Sequence, residues 1–287
     1  MTIPFYIVDV FAEHKYAGNQ LAVFLDAQKL STNEMQTIAR ETNFAESTFI
    51  TKLDQENNAA TIRIFTPEHE MQFAGHPIIG TSWVLMHKIF EKRTEKINLS
   101  VPIGDIVVYQ SDDLVWLQAA QPQFLDTFLA EDFSSFSNLS LDDFDVKFPI
   151  QEVTTGSAFV IVPVKNATVL QNLMLNQIKM NAWLRAHCKT NHRAFYFYCL
   201  EGTKLTSRML CLENNQLIED AATGSASCCL QAFLLKYHSP EIQMINYQGD
   251  FIKRPSQIYF NGKLEENNFD IKIGGKTQFI AKGEWEV

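Results

Sequence analysis

The sequence is short of the residues that mark several specialised protein classes. Its five cysteines, at positions 188, 199, 211, 228 and 229, are odd in number and form no C-x-x-C pair. That excludes a disulfide framework and a zinc knuckle, and it fits reduced thiols in a cytoplasm. Basic residues are outnumbered, with Lys and Arg totalling 24 against 33 Asp and Glu, and the net charge is −9. Without a Lys/Arg cluster the chain lacks the electrostatic footprint of a nucleic-acid or anionic-membrane binder. No apolar run reaches the roughly 20 residues that spanning a bilayer requires. The N-terminus, MTIPFYIVDVFAEHK, has no basic stretch followed by an apolar core and a small-residue cleavage site, so it reads as a first strand and not as a signal peptide.

Motifs for other chemistries are missing too. No G-x-G-x-x-G follows a strand and no P-loop occurs, which leaves dinucleotide and ATP enzymes without support. Glu68, His69, Glu70 and His76 do not make the H-E-x-x-H pattern of a zinc helix. Gly156-Ser157-Ala158 lacks the surroundings of a nucleophile elbow. What is present is a chain of 287 residues, 46% hydrophobic and 20% charged, enough for a sizeable core in one large or two ordinary domains. Phe alone contributes 22 residues.

Short β-branched and aromatic runs dominate: Phe5 to Val10, Leu21 to Leu25, Thr61 to Phe65, Ile106 to Tyr109, Leu114 to Leu117, Ala158 to Val164, Ala194 to Cys199 and Ile271 to Ile273. Most are bounded by turn residues and are expected to be strands. Helical patterns interrupt them at Thr32 to Thr42, Ile78 to Phe90, Asn176 to Cys188 and Gly224 to Tyr237. The order of strands, short helix, strands and apolar helix occurs twice, which suggests an internal duplication. The expected division is 1–119 and 120–287, with a last strand free to cross back to the first domain. Glu131 to Asp145, rich in Ser, Asn and Asp, reads as a linker and surface loop.

The second and fourth helices are unusual. Met71 to His87 contains no Asp, Glu, Lys or Arg, and neither does Ala221 to Leu235. A helix without a polar face must be buried on all sides. The economical arrangement is α+β: two similar domains, each a mostly antiparallel barrel of strands around a central apolar helix.

Each apolar helix is preceded by a small-residue turn, Phe73-Ala74-Gly75-His76-Pro77 in one half and Asp220-Ala221-Ala222-Thr223-Gly224-Ser225 in the other. Small residues let a ligand approach the backbone, and the first N–H groups of a helix form an anion site. The plainer alternative is an ordinary pair of helix starts, with Asp220 or Thr223 as N-cap and Pro77 in a first turn. Glu46 follows the first helix beside Phe44 and before Phe49, where desolvation would suit a carboxylate to taking and returning a proton. Its alternative is a solvated loop Glu, and that of His76 a satisfied polar group near the core. Asn19, beside Gly18, is most simply a turn residue with positive φ. Cys228 and Cys229 read as small core residues.

Several stretches in one order resemble the PhzF-like isomerase family of phenazine biosynthesis, related in fold to diaminopimelate epimerase. They are Asp9-Val10-Phe11, Gly18-Asn19-Gln20-Leu21-Ala22-Val23, Glu41 to Ser47, Arg63-Ile64-Phe65-Thr66-Pro67, Phe73 to Pro77, Glu219 to Ala226, Gln248-Gly249, Arg254-Pro255-Ser256 and Ile273-Gly274-Gly275. The resemblance implies an active site in a cleft between two similar domains, with no metal and no organic cofactor. It implies that Glu46 is the acid/base, that His76 and Asp220 assist it, and that Asn19, Gly75, Thr223, Gly224 and Ser225 bind substrate. Ala221 and Gln20 stand where the family often has Pro, and neither change removes a titratable group. The related epimerases place one thiol at each small-residue turn, and neither turn here contains Cys, so a one-carboxylate isomerase is favoured over a two-thiol racemase. The expected partner is a small anionic metabolite, with nucleic acid and membrane excluded and a homodimer left open. The rival reading is a catalytically silent small-acid-binding or interaction protein on the same fold.

Overall fold

The computed structural model describes residues 1–92, 94–188, 194–213 and 216–287. The chain divides into two compact units, Met1–Gln118 with Gly274–Val287, and Ala119–Ile273. The architecture is mixed α and β, mostly sheet with few helices.

In the first unit the elements are β1 (Thr2–Val10), β2 (Asn19–Phe24), α1 (Thr32–Thr42), β3 (Glu46–Asp54), β4 (Ala59–Phe65), β5 (Glu70–Met71), α2 (Gly75–Val84), β6 (Lys96–Val101), β7 (Gly104–Ser111) and β8 (Leu114–Gln118). Two parallel joints, β2 to β3 and β4 to β6, are crossed by α1 and α2, and the other pairings are antiparallel. Helix α1 starts where Ser31 and Glu34 make a reciprocal capping box, and it ends at Asn43 in the left-handed region, φ 54°. Its apolar face, Met35, Ile38 and Ala39, packs on Phe24, Phe49 and Phe65.

Helix α2 buries nine of its ten residues, all but Trp83. It touches β1, β2, β3, β6, β7 and β8 of its unit. The approach is close enough that a Cβ on Gly80 would lie 2.6 Å from both Leu21 and Val10. The helix begins at Gly75, three residues before the apolar pattern suggests. After Val84 it widens into a π turn over Leu85–Ile89. Trp83 is half-buried, stacks on His87 and lies under the Lys88 ammonium, so the expectation of burial all round fails at that one edge.

The second unit runs β9 (Gln123–Phe128), α3 (Ala130–Phe136), β10 (Ile150–Thr154), β11 (Ala158–Pro163), α4 (Ala167–Asn172), α5 (Gln177–His187), β12 (Ala194–Glu201), β13 (Lys204–Glu213), β14 (Gln216–Asp220), α6 (Gly224–Tyr237), β15 (Glu241–Gln248) and β16 (Ser256–Glu265). Then β17 (Asn268–Gly275) carries the chain to β18 (Thr277–Glu286), which pairs antiparallel with β1 in the first unit. Again there are two parallel joints, β11 to β12 across α4 and α5, and β13 to β15 across α6. The strand–hairpin–apolar helix–strand order β4, β5, α2, β6 thus recurs as β13, β14, α6, β15. Helix α6 buries eleven of its fourteen residues and touches β10, β11, β15 and β16.

The stretch from Glu131 to Asp145 is not a surface loop. It holds α3, and Phe133, Phe136, Leu139 and Phe144 enter a core cluster with Trp183 of α5 and Phe195 of β12. Its polar residues hide this because the phenylalanines are spaced three apart, so one face of a short helix carries all the burial while Ser and Asp cover the other. Cys228 and Cys229 are buried in α6, and burial pushes the Cys229 thiol up to about 12. They act as small core side chains.

Candidate active site

In the first unit the structure brings Asn19, Glu46, Gly75 and His76 together. Asn19 is the first residue of β2 and is 5% exposed. The left-handed backbone belongs to its neighbour Gly18, φ +67°, where a Cβ would strike the Val10 carbonyl. The turn is therefore made by Gly18, and Asn19 is free to serve as a buried polar side chain. Its Nδ2 lies 3.5 Å from His76 Nδ1. Glu46 is the first residue of β3, next to Leu21 of β2 in the parallel register, and its side chain is 17% exposed.

His76 is the second residue of α2 and its ring is buried. Burial is the main cause that brings its pKa down to about 3, opposed by a hydrogen bond to the Gln20 backbone that favours the charged ring. An interaction of that sign needs a carbonyl acceptor. Nε2 has no hydrogen-bond partner among the described residues. Nε2 faces Glu46 Oε2 at 3.5 Å. With a neutral ring this is not an ion pair at ordinary pH, and His76 borders Glu46 without neutralising it.

The start of α2 carries no side-chain cap, since its N-cap is Ala74. Elsewhere in this unit Ser47 Oγ and Thr48 Oγ1 of β3 and Thr81 Oγ1 in the second half of α2 are also buried with no hydrogen-bond partner among the described residues, against the usual pairing of buried polar groups. One residue that sequence reasoning passed over is Asp9, 2% exposed, whose Oδ2 accepts the Tyr16 amide at 2.7 Å. It holds Tyr16 at φ 68°, a costly conformation for a non-glycine residue, in the loop that leads to Asn19.

In the second unit the structure brings Asp220, Thr223, Gly224 and Ser225 together where β14 ends and α6 begins. Thr223 is the N-cap residue, yet its side chain does not cap the helix. Its hydroxyl bonds instead to Asp220 Oδ2 at 2.5 Å. The first N–H groups of α6 are thus left without a side-chain acceptor, as at α2, and Ser225 stays partly accessible. Gln248 of β15 anchors this turn, and nothing in its residue type announced that. Its place in a Gln-Gly motif was the only signal.

Among the described residues no three His, Cys, Asp or Glu side chains gather as a metal site. No helix is long and apolar enough to cross a membrane.

The phenazine biosynthesis-like family model, PhzC-PhzF, matches residues 8–283. The chain belongs to this family. It is 31% identical over 283 residues to a trans-2,3-dihydro-3-hydroxyanthranilate isomerase of Pseudomonas aeruginosa, covering 96% of this chain and 97% of that protein. A Bacillus anthracis phenazine biosynthesis protein of the PhzF family superposes with a TM-score of 0.88 at 25% identity, over 100% of both chains. A probable proline racemase from Agrobacterium radiobacter, 10% identical, shares the fold with a TM-score of 0.65, over 98% of this chain and 92% of that one. Curated relatives from Pasteurella multocida and three Pseudomonas species carry isomerase names, and the chain is an isomerase of this PhzF family.

Proposed function

We propose that this PhzF-family isomerase moves a proton on a small carboxylate-bearing substrate, without a cofactor, and that Glu46 is the acid/base. The observation that carries the proposal is the Glu46 carboxylate, partly exposed, 3.5 Å from Nε2 of a buried neutral imidazole at an uncapped helix start. An isomerisation leaves composition unchanged, so the proton that Glu46 takes from carbon returns to another atom of the same molecule. A neutral His76 suits this role. It places a polar, uncharged neighbour beside Glu46 and does not lock the carboxylate in a salt bridge.

His76 and Asp220 assist and orient the substrate. Asn19, Gly75, Thr223, Gly224 and Ser225 form its binding surface, through N–H groups that helix ends leave unpartnered and that carry a partial positive charge of about half a unit. Each unit is read as a barrel of strands closed around its apolar helix, which the contacts of α2 and α6 with the surrounding strands support. The substrate class is a cyclic carboxylic acid of the kind named by the Pseudomonas relative.

The test is turnover of trans-2,3-dihydro-3-hydroxyanthranilate by wild type and Glu46→Gln. Loss of a positioned acid/base costs on the order of 10² to 10⁴ in rate. The variant is expected to keep its thermal midpoint and to lose at least that factor in kcat. Near wild-type turnover by the variant removes Glu46 from the chemistry. A silent binding protein on this fold is the alternative if the wild type binds such acids and never exchanges a carbon-bound proton.

A further inference from the structure

Behind the Asp220 turn lies a buried set of polar side chains that the reaction itself does not require: Tyr196, Ser207, Ser227, Asn246 and Gln248, each at most 1% exposed. Gln248 is its outlet. Its Oε1 accepts from Tyr196 Oη at 2.7 Å and from the Thr223 backbone N–H at 3.2 Å. Its Nε2 donates to the Asp220 carbonyl at 2.9 Å and to Thr223 Oγ1 at 3.0 Å.

The backbone groups fix the orientation of the Gln248 amide, and with Asp220 ionised they leave one direction for each bond on this path. A backbone N–H can only donate and a backbone carbonyl can only accept, so Thr223 N–H and Asp220 C=O fix which end of the Gln248 amide is which. The NH₂ therefore faces Thr223 Oγ1, and that oxygen must accept there. The single hydroxyl proton of Thr223 is left to point at Asp220 Oδ2, the 2.5 Å contact. On the other side Tyr196 must give its proton to Gln248 Oε1. Its oxygen accepts in turn from Asn246 Nδ2 at 2.7 Å.

We propose that Gln248 is a positioning residue that, through Thr223, commits Asp220 Oδ2 to accepting a hydrogen bond and so fixes the carboxylate's orientation and favours its ionised form. The proposal deepens the functional reading above and rests on it for the relevance of Asp220, though not for the polarity of the network. A hydroxyl locked as donor to a carboxylate makes a charge-assisted bond, shorter and stronger than a neutral one. A free Thr hydroxyl would exchange between donating and accepting, and could cap α6 instead. The locked form gives up that cap and keeps one carboxylate oxygen as a fixed acceptor.

The experiment is a pH titration of Asp220 in protein carrying ¹³C-carboxyl aspartate, with the signal assigned by its loss in Asp220→Asn. Thr223→Val removes the donor and is expected to raise the Asp220 pKa by about one unit. Thr223→Ser keeps the hydroxyl and should titrate as wild type. Gln248→Glu removes the NH₂ that forces the polarity. The Thr223 proton can then turn to the new carboxylate and Asp220 should rise, but the added charge raises it too, so the Thr223 Val/Ser pair is the deciding arm. Gln248→Leu leaves Thr223 able to donate, so it should lower the thermal midpoint with a smaller change in titration. In active variants any limb of the pH–rate profile set by Asp220 should move with the NMR value.

An Asp220 titration that is the same in wild type, Thr223→Val and Gln248→Glu overturns the proposal and leaves Gln248 a structural clamp. If Gln248→Glu does not fold, the Thr223 Val/Ser pair decides alone. Wild-type turnover of trans-2,3-dihydro-3-hydroxyanthranilate by Asp220→Asn would instead remove Asp220 from the reaction while the titration result stood.

Discussion

The starts of the two apolar helices are built from the same elements and solved in opposite ways. Both follow a hairpin, both cross a parallel joint, and neither has a side-chain cap. At the start of α2 the His76 Nε2 is buried and unpartnered among the described residues. At the start of α6 the polar groups are cross-linked, with Asp220, Thr223 and Gln248 tied into a directed network. An unpaired buried polar group costs roughly 1 to 3 kcal/mol, so His76 Nε2 is held at a sacrifice in stability that the Asp220 turn avoids, although α6 carries Gln231, unpaired among the described residues, farther along. Under the proposed function, the difference divides the labour: Glu46 and His76 meet the reacting atoms and Asp220 is kept still.

The largest effect that could break this comparison concerns the helices themselves. Leu230→Asp on α6 buries a charge with no counter-ion and is expected to cost on the order of 4 kcal/mol or more, enough to abolish cooperative unfolding at 37 °C. Trp83→Asp on α2 places its charge at the half-buried edge next to Lys88 and should cost only about 1 to 2 kcal/mol. Denaturant midpoints check both, and equal costs would mean that α2 is as enclosed at Trp83 as α6 is at Leu230.

A middle-sized effect is acid sensitivity. Burial brings the folded-state pKa of His76 down to about 3, from an ordinary value of 6.5. Above pH 6.5 the ring is neutral in both states and contributes nothing. Between 6.5 and 3 the unfolded chain binds one more proton than the folded chain, so stability falls as the pH falls, by about 1.4 kcal/mol per unit. His76→Asn should lose about 2 to 3 kcal/mol less than wild type between pH 6.5 and 4.5 in urea denaturation. Parallel acid limbs in the two proteins would show that His76 is not buried neutral.

The smallest effect separates the two helix starts as binding surfaces. Ser225→Ala removes a donor and is expected to weaken binding of trans-2,3-dihydro-3-hydroxyanthranilate about fivefold, near 1 kcal/mol. Gly75→Val fills the approach to the α2 start and should weaken it more. Calorimetric titration of both variants decides, and unchanged affinity in both places the carboxylate elsewhere.

How much of this was legible in the sequence depended on whether the signal was local. The limits of α1 and α6 are visible because a capping box and an uninterrupted charge-free run mark them. The π turn after Val84 is not, since the apolar pattern continues through it. Helix α3 escaped because three-residue spacing of Phe133 and Phe136 is hard to see among Ser and Asp. Glu46, His76 and Asp220 stand out by chemistry and by family resemblance. Gln248, Tyr196 and Asp9 do not, because their roles depend on partners 25, 52 and 7 residues away that only the fold supplies.

The central claim is that Glu46 carries a proton to and from carbon. It is tested most directly by incubating wild type and Glu46→Gln with trans-2,3-dihydro-3-hydroxyanthranilate in heavy water and following deuterium at carbon by NMR and mass spectrometry. The account predicts solvent deuterium in the carbon skeleton with wild type and, with Glu46→Gln, incorporation slowed by a factor on the order of 10² or more. Equal incorporation by the two proteins would contradict it.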